Sequence, residues 1–152
     1  HKYALLNEDH CYLLLTYMRN NTSVREKKVK LVKAFRDARA QLALRDMARI
    51  EGKVVRRTET DAIKSLVEYA TAKGSSNANM YYANITKMTN SLLGVEKGQR
   101  DTLDHKSLQQ IKIAETIVEM AIRDGLKAEL PYKDIYKLCK DRVSSIAAIL
   151  LS

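Results

Sequence analysis

A single proline, Pro131, and only five glycines stand in 152 residues, so long stretches carry neither helix breaker. Proline removes a backbone donor and clashes inside a helix, and glycine costs backbone entropy there, so helix interiors exclude both. Together with abundant Leu, Ala, Lys and Arg, this scarcity predicts an all-α protein. No Asn-Gly or Asp-Gly pair sits between alternating apolar runs as a hairpin would require. Asp124-Gly125 instead follows a helical pattern and reads as a helix end. A chain of this length can bury one sizeable core, or two small helical subdomains, without metals or disulfides.

The apolar periodicity predicts about six helices. Asn7 followed by Glu8 and Asp9 marks the first start, with acids placed where the helix dipole favours them. That helix is expected to run to about Arg19 and to bury Tyr12, Leu13 and Tyr17. Asn20-Asn21-Thr22 interrupts it, and Ser23 with Glu26 reads as a capping box for a second helix from Val24 to about Val54. Gly52 and Lys53 to Arg57 are expected to end that element, with Thr58 capping a third helix that Gly74 terminates. Tyr81, Ile85, Met88 and Leu92 define a fourth helix ending at Gly94. After a polar connection from Val95 to Leu103, Asp104 or Ser107 caps a fifth helix, stopped by Gly125. Pro131 opens a sixth, with the seam Ile135, Cys139, Val143, Ile146 and Leu150 and an apolar end from Ile146 to Leu151. The expected organisation is an N-terminal remnant over 1–22, a long basic connecting and dimerising helix over 23–57, and a helical interaction domain over 58–152.

The charge is concentrated. Arg19 to Arg57 holds thirteen Lys and Arg against four acids, a net +9, while the remainder carries fourteen of each sign. Within this stretch Val24, Leu31, Phe35, Ala38 and Leu42 recur as a heptad seam broken at Lys28, the pattern of a coiled-coil partner. After Leu42 the apolar positions shift round the helix to Ala43, Met47, Ile50 and Val54. Lys27, Lys30, Lys33, Arg45 and Arg49 lie opposite the seam, where a solvated face, a phosphate contact and a contact with an acidic protein are all open readings. Arg45, Arg49, Lys53, Arg56 and Arg57 form the candidate contact for duplex DNA or an acidic partner, densest from Lys53 onward.

Candidate chemistry is sparse. In Glu8-Asp9-His10-Cys11 only Glu8 and Cys11 share a helix face, and no second cluster completes a metal site. His105 has no acid or nucleophile in register beside it, and no phosphate loop, dinucleotide fingerprint or zinc-protease motif occurs. The expectation is a protein that is not an enzyme, with no catalytic residue, cofactor or metal. Cys11 and Cys139 lie far apart and read as free buried thiols in a reducing compartment. No run approaches a membrane span, no signal peptide is seen, and the first residue is His, so the expectation is a non-membrane chain that begins inside a longer protein or after a removed tag. Tyrosines are eight of the nine aromatics, a residue type suited to wet interfaces. Tyr81 falls in its helix seam, whereas Tyr82 points away from it, beside Asn79 and Thr86.

Tyr3-Ala4-Leu5-Leu6-Asn7-Glu8-Asp9-His10, Leu13-Leu14 and Lys30-Leu31-Val32-Lys33-Ala34-Phe35 resemble the end of the N-terminal domain of bacteriophage Rha-type and related antirepressor proteins. Thr60-Asp61-Ala62-Ile63, Asn79 to Met88 and Tyr132-Lys133-Asp134-Ile135 look like the helical C-terminal part of such prophage regulators. The resemblance implies regulation of the lysis-lysogeny switch in the cytoplasm of a bacterial host, the N-terminal part associated with DNA binding and the C-terminal part with antirepression through protein contact. It makes a phage repressor the expected partner, through Tyr82, Asn84 and Lys87 or the basic arm. The alternatives are a DNA-binding regulator using the basic helix and a structural oligomerisation module built on the Val24 to Leu42 seam.

Overall fold

The computed structural model describes residues 5–96 and 98–150, and among them it is all-helical. Five α-helices follow in order, α1 Glu8–Tyr17, α2 Thr22–Ala72, α3 Met80–Leu92, α4 His105–Lys127 and α5 Tyr132–Leu150, with a 3-10 turn at Gln99–Asp101 between α3 and α4. The chain divides into two compact units, His1–Ala43 and Leu44–Ser152.

The expected second and third helices are one. α2 runs for 51 residues without interruption. Gly52 costs such a helix about 1 kcal/mol relative to Ala, but no proline follows, and the buried row Ala48, Glu59, Ala62, Ile63, Leu66 and Ala70 stays in register across the expected break. Tertiary packing along one face therefore outweighs the local signal. Thr58 is no cap: its hydroxyl donates to Val55 O at 2.9 Å within the helix. At the start of α2, Asn21 Oδ1 accepts from Val24 N at 2.9 Å, so Asn21 takes the role expected of Ser23.

In the first unit, Asn7 caps α1 as expected, its Oδ1 accepting from His10 N at 2.8 Å. The burial expected of α1 is not found, since Tyr12, Leu13 and Tyr17 are exposed and the helix has no buried residue. Lys28 anchors the turn after α1 by donating to Thr16 O, Met18 O and Asn20 Oδ1 at 3.3, 3.2 and 2.8 Å. Lys28 interrupts the heptad because it serves this turn. Tyr3 and Ala4 of the family-like motif lie outside the described residues, as does Leu151.

The second unit holds the core. α4 and α5 pack as an antiparallel pair, and α3 and the C-terminal part of α2 complete a cluster around Ile63, Leu66, Ile85, Val118, Ile122, Ile135, Cys139 and Val143. Asp104 caps α4, its Oδ1 accepting from Ser107 N at 2.8 Å, and hydrogen bonding from the Ser107 side chain and then its backbone holds the Asp104 carboxyl below its ordinary pKa. The ends of α2 and α3 share one device. Ser75 N donates to Ala70 O at 2.9 Å and Val95 N to Asn90 O at 2.9 Å, with Gly74 and Gly94 at φ 86° and 66° supplying the left-handed residue.

Gly125 is not the stop expected for α4. The helix continues to Lys127 and turns at Glu129, φ 51°, where Leu130 N closes on Gly125 O at 3.0 Å. The glycine is there for contact: a Cβ at 125 would stand 2.8 Å from Ile135 Cγ1, so the α4–α5 crossing requires a bare backbone. Gly125→Ala is expected to destabilise the protein by about 1–3 kcal/mol through overpacking, although alanine is the better helix former. A melting temperature equal to or above that of the wild type would show that Ile135 gives way freely.

Candidate functional site

α3 gathers the features that set the site. Its inner side, Ile85, Met88 and Thr89, is buried against the core. The opposite side leaves a groove of about 780 Å³ lined by Tyr82, Ala83, Thr86, Lys87, Asn90, Ser91 and Val95. Tyr82, Thr86 and Asn90 follow at helical spacing of four, so they form one row along it. Lys87 is its single formal charge. An apolar floor with a row of hydroxyl and amide groups is the composition of a recognition surface.

This row is held from below by buried charge. Arg56 of α2 donates through Nη2 to Thr86 Oγ1 at 2.8 Å and pairs through Nη1 with Glu59, one turn further along. Its Nη1 also lies 3.5 Å from Glu115 Oε1 of α4. Arg100, from the 3-10 turn, reaches Glu115 Oε1 at 2.6 Å and Asn90 Oδ1 at 3.4 Å through the same Nη2. Glu59 and Glu115 are 0% and 1% exposed. Two arginines thus balance two buried carboxylates, and each arginine also fixes one polar side chain of the groove. Burial pushes the Glu59 carboxyl up to about 7, helped by Glu115 and opposed by Arg56 and Arg100. Among the described residues, no hydrogen-bond donor meets Glu59 Oε1 or Glu115 Oε2.

The residues expected to form the basic contact are divided. Arg56 serves the buried cluster. Arg49 pairs with Asp101, and both arginines line, with Lys53, Arg100 and Lys112, a cavity of about 130 Å³ beside Glu115. Lys53 and Arg57 are exposed and Arg45 is half-buried. Of the expected partner face, Tyr82 and Lys87 lie together in the α3 groove. Asn84 does not join them, lining a second recess of about 670 Å³ with Tyr81, Tyr132 and Tyr136. There the Tyr81 ring meets Tyr132 edge-on, centroids 6.4 Å apart, and Tyr136 at 5.9 Å. Burial and the two neighbouring phenols raise the Tyr81 pKa.

The expected oligomerisation seam lies in the first unit. Val24 is buried, Leu31 half-buried, Ala38 exposed, and Phe35 and Leu42 are 64% and 54% exposed. The cysteines differ from the expectation in one respect. Cys139 is buried, its thiol pushed up to about 12, but Cys11 is exposed because α1 buries nothing. Among the described residues no group of three metal-ligating side chains gathers, and no helix is long and apolar enough to cross a membrane.

Comparison with protein-family models, curated proteins and solved structures finds no match. Glu59, Glu115 and Arg100 are the residues that sequence reasoning missed. The two glutamates carried a signal, a charge inside an apolar row: Glu115 stands between Ile111 and Val118 at spacings of four and three, and Glu59 between Val55 and Ile63 at fours.

Proposed function

We propose that this protein is a non-enzymatic regulator of the antirepressor type, which binds a phage repressor on the outward face of α3 and removes it from its operator. The observation that carries this reading is the groove along Tyr82, Thr86, Lys87 and Asn90, predominantly apolar and fixed by Arg56 and Arg100 beneath. A preordered row lowers the entropy cost of binding, and Tyr82 offers the large amphipathic surface on which interface energy concentrates. The sequence blocks that resemble Rha-type proteins cover this helix and support the same reading.

Mixed with the repressor of the prophage that encodes it, the protein should co-elute in size exclusion. Tyr82→Ala should weaken the complex by about tenfold or more. Separate elution of wild type and repressor at all concentrations would overturn the proposal. A second reading, duplex DNA binding, draws support from Arg57, which is exposed and, among the described residues, joined to no acid by an ion pair. That reading would gain if DNA affinity fell steeply with salt and Arg45→Glu with Arg57→Glu abolished it.

A further inference from the structure

Within the second unit, α2 turns one face to the core and leaves another bare. Met47, Ile50 and Val54 are 60%, 65% and 63% exposed, while Ala48 on the neighbouring face is 2% exposed. Their spacings of three and four residues form a straight row, the period that a second helix reads and that a solvated face has no reason to keep. We infer that this row is a self-association surface, on which the Met47, Ile50 and Val54 strip of one copy packs antiparallel on that of a second copy.

The charges beside the row select the occupant and its direction. With Met47 and Val54 at a positions and Ile50 at d, Asp46 and Lys53 occupy successive g positions, and Leu44 and Glu51 are at e. In an antiparallel pair, g faces g. Setting Met47 against Ile50 of the second copy brings Asp46 opposite its Lys53, and two-fold symmetry repeats the pair. Leu44 then lies opposite Glu51, a half-exposed carboxylate that Lys112 Nζ meets at 2.6 Å. In a parallel pair g faces the next e, and Asp46 would meet the second copy's Glu51, two like charges. Asp46 and Lys53 are both exposed and neither has an ion-pair partner among the described residues. The row is thus complementary to itself reversed and repulsive to itself in parallel.

Three apolar side chains per copy make a small interface, so the dissociation constant is expected to be about 100 µM. Sedimentation equilibrium of the full chain between about 10 and 500 µM should show monomer and dimer. Ile50→Glu should abolish the dimer with an unchanged circular dichroism spectrum, since the side chain is exposed. Asp46→Lys should weaken association about tenfold, and adding Lys53→Asp should restore it. The sign of the single swap decides orientation, because in a parallel pair the introduced ammonium would attract Glu51 and tighten the dimer. Tightening by Asp46→Lys, a monomer at every concentration, or a dimer indifferent to Ile50→Glu would each overturn the inference. If Ile50→Glu failed to fold, the two charge variants would carry the test unchanged.

Discussion

Arg56→Ala is expected to lower stability by about 3–5 kcal/mol, the cost of leaving buried charge uncompensated. The side chain bridges Glu59 and Glu115, both almost fully buried, and its removal leaves Arg100 alone against two carboxylates. It also releases Thr86 from the guanidinium that ties it to α2. Thermal unfolding at pH 8 should report a fall of about 10–20 °C for a unit of this size. Arg49→Ala makes the control. Its partner Asp101 is 79% exposed, and such a pair contributes about 0–1 kcal/mol. Equal losses from the two substitutions would refute the assignment of Arg56 to a desolvated cluster. Replacing the whole cluster by apolar residues, Arg56→Met and Arg100→Met with Glu59→Leu and Glu115→Leu, should recover most of the loss, because the penalty comes from the unpaired charges.

The cluster also explains which parts of the fold could be read in the chain. Helix ends governed by local chemistry were legible: Asn7 and Asp104 at N-caps, Gly74 and Gly94 at C-termini. The seams Ile85–Met88 and Ile135–Cys139–Val143 were equally plain, because each lies on one helix and buries itself. What misled were local signals overridden from a distance. Gly52 and Thr58 resemble a break, yet α2 passes through them because Ala48, Glu59, Ile63 and Leu66 pack as one row. Gly125 resembles a stop, yet its lack of a side chain serves Ile135, ten residues on. Arg56 counted as surface charge because arginine usually is, and only the fold reveals that Glu59 and Glu115 meet it. The uneven charge of Arg19 to Arg57 therefore overstates the positive field available to a partner, since Arg49 and Arg56 are neutralised by acids at 101, 59 and 115.

Stability should fall as pH rises from 5 to 8, opposite to the trend that paired surface carboxylates impose. The cause is Glu59, whose folded pKa of about 7 lies above its ordinary value of 4.5 because burial penalises the charged form. Between those values the folded state holds a proton that the unfolded chain has released, so raising pH favours unfolding, and the effect levels off above the folded pKa. The full displacement is worth about 3 kcal/mol. Glu51 and Asp104 are shifted the other way, by Lys112 and Ser107, and their contribution is lost only as pH falls below the ordinary carboxylate range, outside this window. Urea unfolding at fixed ionic strength between pH 5 and 8 isolates the term. Glu59→Gln, which keeps the shape and cannot ionise, should flatten the curve: close to wild type at pH 5, where Glu59 is itself protonated, and more stable than wild type at pH 8. A wild-type curve that rises toward pH 8, or a Gln variant with the same slope, would place the Glu59 carboxylate in its charged form throughout. Arg56 and Arg100 would then outweigh its desolvation, and the cluster would be a fully ionised quartet at neutral pH.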